Sequence, residues 1–197
     1  MVERDPTLIT DPKELRALTH PTRLAIIDLF AIEPTVTATR CAEVTGESVA
    51  SCSYHLGMLA KYGYIGEAPG GQGRERPWQL LRKTRDWSSQ GTDTEGALAA
   101  EALTDVYIDH AMSQMKTAMR RATREPEPWR HGSGLSGGTA YLTPDELAAL
   151  NDELIEICKR YVDRTERPEL RPDGARPVRL FLARWLATPP AEQGDRS

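Results

Sequence analysis

The apolar positions between Pro12 and Leu81 change spacing several times, and each change marks an element. Two helical runs open the segment, predicted over residues 12–18 and 21–32. Pro21 suits the first turn of the second run, because its fixed φ is already helical and its missing N–H would find no partner there. Glu33-Pro34 breaks that helix, since the residue before a proline resists helical ψ. Thr37 is placed to cap a third helix over residues 38–45, with Cys41, Ala42 and Val44 inward. Gly46 supplies the turn, being free to take a positive φ, and Ser48 caps a fourth helix reaching to about Tyr62. In that helix Cys52, Leu56 and Leu59 fall at i, i+4 and i+7, a single inward stripe. The opposite face carries Ala50, Ser51, Tyr54, Gly57 and Lys61, small and polar. After Gly63 the spacing becomes that of strands: residues 64–69 and 74–81 read as a hairpin around Gly70-Gly71-Gln72-Gly73. Helix, turn, helix and hairpin predict a winged helix-turn-helix.

Residues 88–95 (SSQGTDTE) form a polar, turn-prone joint, and a long proline-free helix is predicted over residues 95–124. Its apolar positions run from Leu98 and Ala102 through Leu103, Val106, Tyr107 and Ala111 to Met112, Met115, Ala118 and Met119. That face is broader than one packing partner needs. Residues 125–138 (EPEPWRHGSGLSGG) read as a linker. A short strand over residues 139–142 leads into Thr143-Pro144-Asp145-Glu146, a strong helix start with a threonine cap, a proline and first-turn acids. In that helix Leu147, Leu150, Leu154, Ile157, Cys158 and Tyr161 fall on the inward stripe, to about Thr165. Residues 178–185 (VRLFLARW) read as a second strand able to pair with 139–142, and the tail from Pro189 has the composition of a disordered segment. Met1 to Asp11 reads as a loose polar arm. The expected class is mostly α, α+β, with a first domain over residues 1–90 and a second over 91–197 that holds the long helix and a small helix/strand module.

Charge sharpens this outline. A net charge of −4 argues against a general polyanion binder. Residues 1–90 hold 11 basic and 11 acidic residues, yet Arg74, Arg76, Arg82, Lys83 and Arg85 crowd the wing and its exit. Local clustering of this kind positions a duplex. The three scattered cysteines do not suggest a disulfide framework, and no signal peptide or membrane-length apolar run is legible, so a cytoplasmic protein is expected. Enzyme motifs are missing: no phosphate-cradling glycine loop, no nucleophile elbow and no metal-hydrolase string. The glycine-rich Gly132–Gly138 follows no hydrophobic strand and reads as linker.

Three strings, His20-Pro21-Thr22-Arg23, Ser53-Tyr54-His55-Leu56 and Gly63-Tyr64-Ile65, stand in order at a spacing that resembles ArsR-type bacterial transcriptional regulators. The resemblance covers residues 15–81 and implies a homodimer joined through the helix after the wing, bound to a double-stranded DNA operator. Many members carry a CVCDL metal string on the first helix of the DNA-binding pair. Counted back without gaps from His55-Leu56, its two cysteines fall on Thr37 and Thr39, which do not bind soft metals, and its leucine falls on Cys41. The family's second metal site spaces Asp and His apart, whereas Asp109-His110 here are adjacent. No metal or other cofactor is therefore expected, and Cys52 is expected to pack rather than to sense.

The candidate DNA-binding residues are Ser48, Ala50, Ser51, Ser53, Tyr54, His55 and Lys61 on the recognition helix and Arg74 and Arg76 on the wing. Tyr54 and Ser51 are assigned to base edges and the arginines to phosphate or minor groove. His55, at the edge of the apolar stripe, stands equally as a packed histidine. The function expected is that of a homodimeric repressor of transcription. A winged-helix adaptor for protein interaction is the rival. For control, a small organic effector in a pocket lined by Tyr141, Leu150, Leu154, Tyr161, Phe181 and Trp185, with Arg179 and Arg184 as anchors, is set against an ordinary core built from the same residues.

Overall fold

The computed structural model describes residues 8–70, 76–81, 87 and 92–187, in two compact units that meet at Arg120 and Arg121. In the first unit, α1 (Pro12–Leu18), α2 (Pro21–Phe30), α3 (Ala38–Thr45) and α4 (Val49–Lys61) are bounded by caps that the sequence announces. The Asp11 side chain accepts the Lys13 N–H at 2.7 Å, Thr37 that of Arg40 at 3.2 Å, and Ser48 that of Ser51 at 3.1 Å. Each satisfies a first-turn donor that has no partner within its helix. Gly46 ends α3 with φ +75°, and Gly63 follows α4 with φ +74°, conformations that a side chain would strain.

The hairpin forms from β2 (Ile65–Glu67) and β3 (Trp78–Leu80), antiparallel with Ile65 opposite Leu80 and Glu67 opposite Trp78. A third strand was not legible in the sequence: β1 (Thr35–Val36) pairs antiparallel with β3, so the order is β1-β3-β2. Glu33-Pro34 thus turns the chain from α2 into a sheet edge. Most of the hairpin tip, including Arg74, lies outside the described residues.

One core joins these elements. Leu15, Leu18, Ile26, Cys41, Cys52, Leu56, Leu59 and Ile65 are at most 2% exposed, and the buried Tyr64 donates its hydroxyl to the Glu14 carbonyl at 3.0 Å, tying the hairpin to α1. Val44 turns outward, contrary to expectation. The arm is shorter than expected as well: Ile9 is wholly buried and bridges to Trp87. The long helix α5 (Thr94–Ala122) lays Ala99, Ala100 and Leu103 on the same core. Trp87 donates its indole N–H to the Thr104 hydroxyl at 2.9 Å and meets Tyr107 edge-on.

The second unit holds α6 (Glu127–Arg130), α7 (Pro144–Glu166) and a 3-10 turn at Pro168–Leu170. The start of α7 is a reciprocal capping box: Thr143 donates its N–H and hydroxyl to Glu146 Oε2 at 2.7 and 2.8 Å, and its oxygen accepts the Glu146 N–H at 3.3 Å. At the other end Arg171 donates to the carbonyls of Arg164 and Thr165. The two strands expected here do not form. Residues 139–142 and 178–185 are irregular, because an extended segment becomes a strand only when another backbone completes its ladder, and neither segment supplies the other's. The stripe read as inward on α7 is also less covered than expected. Leu147, Leu154 and Cys158 are half-buried, while Leu150, Ile157 and Tyr161 are 37%, 48% and 54% exposed.

Candidate nucleic-acid interface

The recognition helix α4 has two unlike faces. Inward, Cys52, Leu56 and Leu59 are fully buried. Outward, Ala50, Ser53, Tyr54, Gly57 and Lys61 are exposed, with Tyr54 at 62%. Lys61, the last residue of the helix, is the single charge on that outward face. A face of small and hydrogen-bonding groups can approach base edges closely, and charge then has to come from flanking elements. Ser48 is exposed, but its hydroxyl oxygen is committed as the α4 cap. Ser51 is half-buried beside it. On the hairpin, Arg76 is exposed and donates to Glu67 Oε1 at 2.9 Å across the sheet. A pair so open to water is held by a kcal/mol or less, so the guanidinium exchanges readily to a phosphate. Arg40 on α3 is held instead by two carboxylates, Glu33 and Glu43, whose hydrogen bonds keep its charge firmly in place.

His55 sits on the inner side of α4, 7% exposed, with its ring centroid 4.5 Å from that of His20. Its Nδ1 is buried and has no hydrogen-bond partner among the described residues. Burial first, then the neighbouring His20 and Arg23, pushes its pKa down, and burial likewise lowers that of His20. His55 is therefore a packed histidine and not part of the outward face. The rest of this cluster explains the His20-Pro21-Thr22-Arg23 string as architecture. His20 Nδ1 accepts the Thr22 N–H at 3.2 Å as the cap of α2, and the buried Arg23 donates to the Ala17 and Arg16 carbonyls at the end of α1.

A second polar cluster went unread in the sequence. Asp28, 5% exposed on α2, accepts from His110 Nε2 at 2.8 Å and from the Gln114 amide at 3.0 Å, both on α5. These bonds clamp the long helix to the helix-turn-helix. A carboxylate inside the apolar run IIDLF was the available signal, since a buried charge requires partners from another element. The adjacent Asp109 takes no part in this contact.

The positions weighed for metal binding have other duties. Thr37 caps α3. Cys41 is wholly buried, and desolvation pushes its thiol up to about 12, where the thiolate is scarce at neutral pH. Among the described residues, no group of three or more His, Cys, Asp or Glu side chains is arranged to hold a metal ion. The residues considered for an effector pocket are spread over the surface of the second unit: Tyr141 is 100% and Trp185 80% exposed, with Leu154 and Phe181 half-buried. They form neither a core nor an enclosure there.

A family model described as a helix-turn-helix domain matches residues 18–63, from the end of α1 through the whole of α4. A search of curated proteins finds no match. None of the described helices is long and apolar enough to cross a membrane. The helix-turn-helix match and the exposed outward face of α4 together indicate a DNA-binding regulator.

Proposed function

We propose that the protein is a homodimeric, sequence-specific transcriptional regulator of the ArsR-like kind, acting as a repressor without the usual thiolate metal site. One observation carries this reading: the recognition helix exposes Ala50, Ser53, Tyr54 and Gly57 while its opposite stripe is wholly buried. That helix can enter a major groove without disturbing the core behind it. Ser51 and Tyr54 meet base edges, and Lys61, Arg74 and Arg76 meet the backbone, whereas His55 drops out of the interface.

The width of the apolar face on α5 supports the dimer. Its own unit covers Ala99, Ala100, Leu103 and Ala111, and Val106 and Tyr107 also pack on this core. Leu98 and Ile108 stay 62% and 43% exposed, in line with the half-buried Met112, Met115 and Met119. This second stripe is the proposed seam, which would bring two copies of α4 to half-sites about one helical turn apart. Selection of bound genomic fragments by the full chain tests the reading. A recurrent palindromic site, bound with affinity that falls steeply with salt, is expected. Binding without sequence preference, or none at any salt, would return the fold to the role of a protein-interaction adaptor.

A further inference from the structure

In the second unit, α7 carries an apolar stripe that the described residues cover only in part. Leu147, Leu150, Leu154, Ile157 and Tyr161 on α7 follow one another at intervals of three, four, three and four residues. That is the spacing of two helices packed side by side at a shallow angle, the stripe being too narrow for a broad globular core. Three of the five are more than a third exposed although the chain is described to residue 187.

We propose that α7 pairs antiparallel with the α7 of a second copy of this chain, forming a self-association seam separate from α5. Charge selects both the partner and the direction. The first half of the helix, residues 144–154, carries Asp145, Glu146, Asp152 and Glu153 and no base, a net charge of −4. The second half, residues 155–166, carries three bases (Lys159, Arg160, Arg164) against three acids (Glu156, Asp163, Glu166), net 0. At about 3.6 residues per turn Asp145, Asp152 and Lys159 fall on the far side of α7 from the stripe, so the charges beside the seam are Glu146 and Glu153 in the first half and Arg160 and Arg164 in the second. Parallel pairing sets like charges beside one another at each of these levels, whereas antiparallel pairing brings Glu146 beside the partner's Arg160 and also opposes the two helix dipoles. This pairing deepens the homodimer reading, and it can fail while that reading stands.

The test uses spin labels on the full chain with Cys158→Ser, Cys41 and Cys52 being buried and so protected from the label. Single cysteines replace Glu153 and Arg164, which flank the stripe, in separate proteins, and electron–electron distances between copies are measured. Antiparallel pairing centred on Leu154 places the Glu153 labels close together and the Arg164 labels roughly 30 Å apart, from about 1.5 Å of rise per residue. Adding Leu150→Glu with Ile157→Glu should abolish the short Glu153 distance while sedimentation still shows a dimer. Two short distances would mean a parallel pair and overturn the proposal. A dimer by sedimentation with no short distance at Glu153 would overturn it too and leave the α5 seam intact. Conversion of the double variant to monomers would make α7 the sole seam and overturn the α5 reading instead.

Discussion

The two units of this chain hold helices of similar quality and opposite consequence. In the first, capped helices of 7 to 13 residues lay their apolar stripes on a shared core with side chains at 0–2% exposure. In the second, α7 is 23 residues long with a complete capping box, yet none of its described side chains is fully buried. A stripe and a cap specify a helix. They do not specify a layer for the helix to pack on, and burial needs at least two layers. The first unit supplies its layers within residues 8–120; the second leaves an apolar face that a second molecule can cover.

The sharpest way to break this comparison is to delete the same side chain in each unit. Leu56→Ala in the first should cost about 2–5 kcal/mol, the range for emptying a tight core. Leu150→Ala, at a site already 37% exposed, should change the urea midpoint of the dilute chain by little, because slight burial leaves little transfer energy to lose. At high protein concentration it should matter more, as the α7 seam fills. Equal losses for both substitutions at low concentration would show that the second unit has a core of its own.

Next in size is Tyr54→Ala, which should weaken binding to the selected site by about 1–3 kcal/mol and to random DNA by less. Folding should hardly change, since Tyr54 is 62% exposed and outside the core. If the loss were the same on both DNAs, Tyr54 would be a backbone contact. Arg76→Ala is expected to act in the complementary way, lowering affinity on all duplexes alike and reducing the salt slope by about one. Its Glu67 partner adds a check. Glu67→Gln frees the guanidinium from its competing carboxylate and should tighten binding slightly, an effect of a kcal/mol or less. An unchanged salt slope in both variants would take this side of the hairpin off the DNA.

What could be read from the sequence follows the same division. The caps at Thr37 and Ser48, the turn at Gly46 and the Cys52-Leu56-Leu59 stripe were legible because each depends on neighbours a few residues away. The pairing of β1 with β3 was not, as Thr35 meets Gln79 across more than forty residues. The Asp28–His110–Gln114 clasp hid for the same reason. The two missing strands were misread because alternation reports a willingness to extend, while only a partner backbone makes a ladder. His55 could be placed only from the structure. The residue lies one turn from outward positions, and His20 decides that its ring turns in.

The smallest expected effect is one of acid on the first unit. His20 and His55 pack ring against ring near the buried Arg23, and burial lowers both pKa values below the ordinary 6.5. Above 6.5 both rings are neutral whether the chain is folded or not, and their packing is kept in full. As the pH falls below 6.5 the unfolded chain takes up protons that the folded unit resists, so stability is lost from there down to the depressed folded values, and then levels off. Urea midpoints between pH 8 and pH 5 should show this decline. His20→Asn with His55→Gln should flatten part of it, the asparagine keeping an acceptor at the α2 cap. His110 stays on Asp28 in both proteins, so the difference between the two curves isolates the stacked pair. Superimposable curves would show that the two rings carry no share of the acid sensitivity.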